Sequence, residues 1–138
     1  MPELFRNIAI ITIALSIFVL IISLIKNIAN DILNSAFPEE FENIKLFFGE
    51  AKHQFTTRIV AAGKVAFKGF YATVFVFEKS LIVKHLNRAI MVNDLSKLKL
   101  SGKFVSTLTI ENGNSPIQLT LGITEYNIIK EFLEANNG

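Results

Sequence analysis

Lys84, His85 and Arg88 fall within five consecutive residues. An ammonium, an imidazole and a guanidinium set so close offer donors and positive charge to a phosphate or carboxylate, and the guanidinium can grip two oxygens at once. They sit inside a wider basic block. Between residues 52 and 103 ten basic side chains stand against two acids, Glu78 and Asp94, a local charge of +8, while the rest of the chain carries four basic and ten acidic residues, −6, so the net +2 is a cancellation. Lys64, Lys68, Lys84, His85, Arg88, Lys97 and Lys99 are the candidates for binding an anionic surface or an acidic partner. Anionic lipid headgroups draw such segments by about 1 kcal/mol per Lys or Arg near the surface. The same residues also read as a solvated sheet exterior whose lysines blunt exposed strand edges, and His85 as a rim residue. Nucleic acid is not expected as a partner, because the phenylalanines fall mostly at inward alternating positions and leave no stacking platform.

Catalysis has little to work with. Cysteine is absent, which removes thiolate nucleophiles, thiolate metal sites and disulfides together. The two histidines, His53 and His85, do not make a zinc site by themselves, and no nucleophile elbow, phosphate-binding glycine loop or histidine metal motif is present. Asp94, the acid nearest the basic block, reads as a turn or cap residue at Asn93-Asp94. The expectation is a protein without enzymatic activity, cofactor or metal.

What positions these groups begins with a membrane segment. Residues 8–25 carry no charge and are apolar at fifteen of eighteen positions, interrupted by Thr12, Ser16 and Ser23. As a helix this run covers about 27 Å, the thickness of a hydrocarbon core, and it exceeds the apolar core of a cleaved signal peptide. An uncleaved single-pass anchor in the inner or plasma membrane is expected over 1–36. Ala9, Ser16, Ser23 and Asn30 recur every seven positions, with Thr12, Val19 and Lys26 three after each of the first three. Ala9, Thr12, Ser16 and Ser23 thus form a candidate packing stripe for another membrane protein or a second copy, although hydroxyls bonded back to their own helix would look the same. The Lys and Arg counts beside the two helix ends, Arg6 against Lys26, nearly tie. A short linker helix is expected over 37–51, with Pro38 at its first position, Glu39 and Glu40 at its positive end and Gly49 past its close. Its apolar face, Phe41, Ile44, Phe47 and Phe48, either packs on the following domain or lies among headgroups, the first being favoured for a helix with three glutamates.

Over 52–138 the period changes to two, the mark of strands. Val65 and Phe67 alternate with Lys64, Ala66 and Lys68; residues 71–77 are apolar on both faces and read as a central strand. Glu78-Lys79 and Asn87-Arg88 are two-residue hairpin candidates, Ser101-Gly102 a turn into Phe104, and Asn112-Gly113-Asn114 the strongest turn signal. Ile117, Leu119, Leu121 and Ile123 give a clean amphipathic strand. A last helix starts at a Thr124 cap, faces inward with Ile128, Ile129, Phe132 and Leu133, and ends at Asn136-Asn137-Gly138. The fold class expected is α+β: a transmembrane helix, then about seven antiparallel strands in a barrel or sandwich, capped by a C-terminal helix.

This order resembles the pleckstrin-homology-like superfold, in particular small bacterial PH-like and GRAM-like domains, over residues 63–135. The resemblance is carried by Gly63-Lys64-Val65-Ala66-Phe67, by residues 76–83 around Glu78-Lys79, by residues 91–100 around Asn93-Asp94-Leu95, and by the terminal helix. It implies an interaction module on the cytoplasmic side that binds proteins or lipid headgroups. The family's tight Lys-x-(Lys/Arg)-x-Arg cluster is not present; Lys64 and Lys68 are the nearest approach. The functional expectation is an accessory or scaffold subunit of a membrane complex, with an anionic-lipid reader or acyl-chain carrier as the alternative.

Overall fold

The computed structural model describes residues 2–102, 105–113 and 115–136, so Lys103 of the basic block and the strand, turn and helix-end positions expected at Phe104, Asn114, Asn137 and Gly138 lie outside the described residues. Two compact units result, Met1–Asp31 and Ile32–Gly138.

The first unit is the body of helix α1, Pro2–Ala36, whose apolar window has a mean hydropathy of 3.1 and is nowhere buried. Among the described residues it is the one helix long and apolar enough to cross a membrane. Thr12 Oγ donates to Ile8 O and Ser16 Oγ to Thr12 O, both at 2.8 Å, so these hydroxyls are satisfied within the helix.

The second unit opens with the last turn of α1, where Leu33 and Ala36 are buried together with Phe37. It continues through β1 (Glu39–Glu40), α2 (Phe41–Phe48), β2 (His53–Ala62), β3 (Val65–Ala66), β4 (Tyr71–Val76), β5 (Leu81–His85), β6 (Arg88–Val92), a 3-10 turn (Leu95–Lys97), β7 (Leu98–Gly102), β8 (Ser106–Ile110), β9 (Ile117–Leu121) and α3 (Ile123–Asn136). All the pairings are antiparallel, in the order β1-β6-β5-β4-β2-β9-β8-β7 with β3 on β2. The sheet curls into a half-barrel. A bulge on β2 between Ile59 and Ala61 adds a residue opposite β9, and such an insertion increases local twist.

The inward face holds Ile59, Val74, Leu81, Val83, Leu108 and Leu119, all at most 1% exposed. Ile129 and Phe132 of α3 close its open side, and the Asn136 side-chain amide donates to Glu78 O at 3.1 Å. The outward face is covered only in part. There α2 lays Phe41 and Ile44 on Phe75, Ile82, Ala89 and Met91. The α+β class and the C-terminal helix agree with the sequence. So does the strand number in an altered form: seven strands have five or more residues, while the expected Val65–Phe67 strand is the two-residue β3 and the long central β2 takes its place.

Several local expectations need correction. Pro38 is not the first residue of the short helix, which begins at Phe41 with Glu40 as its N-cap; Glu39 and Glu40 pair with Ala89 and Arg88 as β1, because they complete the otherwise open edge of β6. The second hairpin turns at Leu86-Asn87 rather than Asn87-Arg88, with His85 opposite Arg88. That register keeps Val83 and Ile90 on the inward face, and a slip of one would turn them outward. Ser101 and Gly102 belong to β7, opposite Thr107 and Ser106. Ile123 begins α3 and is 82% exposed, so Thr124 lies within the helix instead of capping it.

Candidate functional site

The seven candidate cations do not converge. Lys64 occupies the two-residue turn joining β2 to β3, where Gly63 at φ 62° supplies the left-handed backbone, and Lys68 follows β3; both are exposed. Lys84 and His85 are neighbours on β5 and so point to opposite faces. Lys84 Nζ lies 4.4 Å from the centre of the Phe41 ring, a cation–π contact on the outward face. His85 is buried on the other side, between Phe37 and Phe70, and its Nδ1–H donates to Tyr71 O at 2.9 Å. Arg88 also turns to that side. Its Nε donates to Phe37 O at 3.0 Å and its Nη2 to Pro38 O at 2.9 Å. Asn112 Nδ2 donates to Ala36 O at 3.1 Å. Asn112 thus bonds the last carbonyl of α1 and Arg88 the carbonyls of the two residues that follow it, and the guanidinium places positive charge near the negative end of the helix dipole.

Four strands separate β5 from β7, which together with the 3-10 turn before it carries the remaining cations, Lys97 and Lys99. Lys99 is ion-paired with Glu111, both side chains being largely exposed. Lys97 ends the 3-10 turn beside Asp94, whose carboxylate accepts from Ser96 Oγ at 2.7 Å and from Ser96 N at 3.1 Å. These bonds to its ionised form hold the Asp94 carboxyl below its ordinary range. Asp94 is thus a cap, as its place in the sequence suggests.

One recess on this unit combines apolar walls with charge. A cleft of about 470 Å³ opens between α2 and the outward face, lined by Phe41, Ile44, Phe75 and Ile82 with Lys45 and Lys84 at hand. Sequence reasoning missed it, since it exists only where α2 crosses the sheet; the signal was Phe75 on the side of β4 opposite Val74 and Val76, with Phe77 directly after the strand. Among the described residues no three His, Asp or Glu side chains gather in a metal-holding group.

In the first unit Ala9, Thr12, Ser16 and Ser23 are all exposed along α1, and Thr12 and Ser16 border one shallow groove with Leu15, Val19 and Leu20. Comparison of the chain with protein-family models, with curated proteins and with solved structures finds no match.

Proposed function

We propose that the protein is a single-pass membrane-anchored interaction module, an accessory or scaffold subunit of a membrane complex whose β domain is held at the bilayer surface. The observation that carries this reading is α1, an apolar helix with no protein cover over its whole spanning window. Such a surface is stable in lipid and costly in water. The seven longer strands run in the order β6-β5-β4-β2-β9-β8-β7, two antiparallel meanders joined through β2 and β9 and followed by a helix. That order supports a PH-like domain, and by analogy with such domains its place is the cytoplasmic face of the cell membrane. Tethering would raise the domain's effective concentration toward partners in the same membrane.

The alternative, a reader of anionic headgroups or an acyl-chain carrier, draws support from the cleft under α2 with its phenylalanine walls and Lys84. It is the weaker reading, because Arg88 is engaged by backbone carbonyls, His85 is buried and Lys99 is paired. Purification of the full-length protein in mild detergent should bring down a stoichiometric membrane protein. Recovery of the protein alone, with binding to anionic but not neutral vesicles that fails at high salt, would replace the subunit reading with the headgroup one.

A further inference from the structure

Helix α2 has two apolar faces and the domain uses one of them. Phe41, Ile44 and Phe48 turn toward the sheet, where Phe41 lies 5.2 Å from Phe75 and Phe48 5.4 Å from Phe77, ring centre to ring centre. At 100° per residue Leu46 then points away from that face and Phe47 lies on its flank. Leu46 is 85% and Phe47 84% exposed, more than Phe5 at 72%, the most exposed large apolar side chain of α1.

We infer that Leu46 and Phe47 seat in the headgroup–acyl boundary of the bilayer that holds α1, an inference that rests on the anchoring reading above. Chain connectivity restricts where α2 can be. Six residues, 26–31, separate the apolar run from the folded unit, a reach of at most about 20 Å even when extended. Residues 36–38 are then fixed by Asn112 and Arg88, and β1 passes directly into α2. The first helix after the tether therefore carries the exposed pair.

A second copy fits the pair less well. One Leu and one Phe offer roughly 300–400 Å² between them, short of the about 800 Å² per partner of a stable interface. The charges nearby select the kind of lipid contact. Glu39, Glu40 and Glu42 outnumber Lys45 around α2, so the attraction is apolar and requires no anionic lipid.

Tryptophan is absent from the chain, so Phe47→Trp creates a single reporter at the site. The full-length variant is placed in phosphatidylcholine vesicles. Its emission should be blue-shifted and at least about twofold weaker when the acyl chains carry bromine near the headgroup, as for a ring about 5–10 Å into the boundary, and equally so at low and high salt. Leu46→Trp should report the same. A red, unquenched emission overturns the inference, as does a blue-shifted emission that bromine leaves untouched, which would mean cover by protein. Alkaline carbonate separates the two readings: protein retained in the vesicles but unquenched defeats this inference alone, and protein released from them defeats the anchor with it.

Discussion

The Arg88 side chain shows how a residue chosen for its charge can have its role set by geometry. Its two bonds to Phe37 O and Pro38 O join β6 to a segment fifty residues earlier. Arg88→Ala removes charged donors from one part-buried and one exposed carbonyl and should lower stability by about 1–2 kcal/mol, read as a drop in urea midpoint at unchanged slope. Arg88→Lys should recover only part of this, since a single ammonium lacks the planar fork. Asp94 acts through ionisation. Because its folded carboxyl is held below the ordinary value near 3.9, its contribution is complete above that value and fades as pH falls through the lower folded one. The stability gap between wild type and Asp94→Ala at neutral pH should close in acid, which unfolding midpoints at a series of pH values would reveal. The cap at Asp94 was legible from Asn93-Asp94 beside a basic run. The fates of His85 and Arg88 were not, because sequence spacing does not say that Phe37, far back in the chain, returns to meet them.

At the scale of elements, the strand that orders the sheet is also the one hardest to read. On β2, Thr57 occupies a buried position that alternation would give to an apolar residue, its hydroxyl donating to Thr120 O. Three residues later the bulge at Val60 reverses the phase, so Ala62 faces inward where strict alternation would put Ala61. The regular two-residue period is thereby cut to Phe55, half-buried, and Ile59 on either side of Thr57. The β-branched run Thr56, Thr57, Ile59, Val60 was the available signal. By contrast β8 and β9 keep uninterrupted alternation and β4 is apolar on both faces, and all three were legible. The β5–β6 turn carries a cost of its own. Leu86 adopts φ 55°, a region disfavoured for a branched side chain, while 75% exposed. Leu86→Gly should therefore stabilise the domain by about 1 kcal/mol, seen as a raised thermal midpoint. No loss is expected, since the exposed leucine contributes little packing.

For the whole molecule, the apolar run of α1 was plain from composition, because a helix long and apolar enough to cross a membrane announces itself by length and absence of charge. What such a helix would pack against in a bilayer was not. Thr12 and Ser16 satisfy their hydroxyls on their own helix, so any seam formed with Ala9 and Ser23 must rely on close approach more than on bonds across helices. Ser16→Leu with Ser23→Leu should then weaken crosslinked or detergent-resistant assemblies by adding bulk, and an unchanged assembly pattern would remove the stripe from the account. The way the chain enters its folded unit also has a mechanical meaning. Tension arriving along α1 meets first the two-residue β1 at the sheet edge and the carbonyl clasp of Arg88 and Asn112, whereas β2 lies deep between β4 and β9. Pulling from the amino end would thus peel the edge one bond at a time at low force, leaving the strands from β2 onward as the last structure to yield.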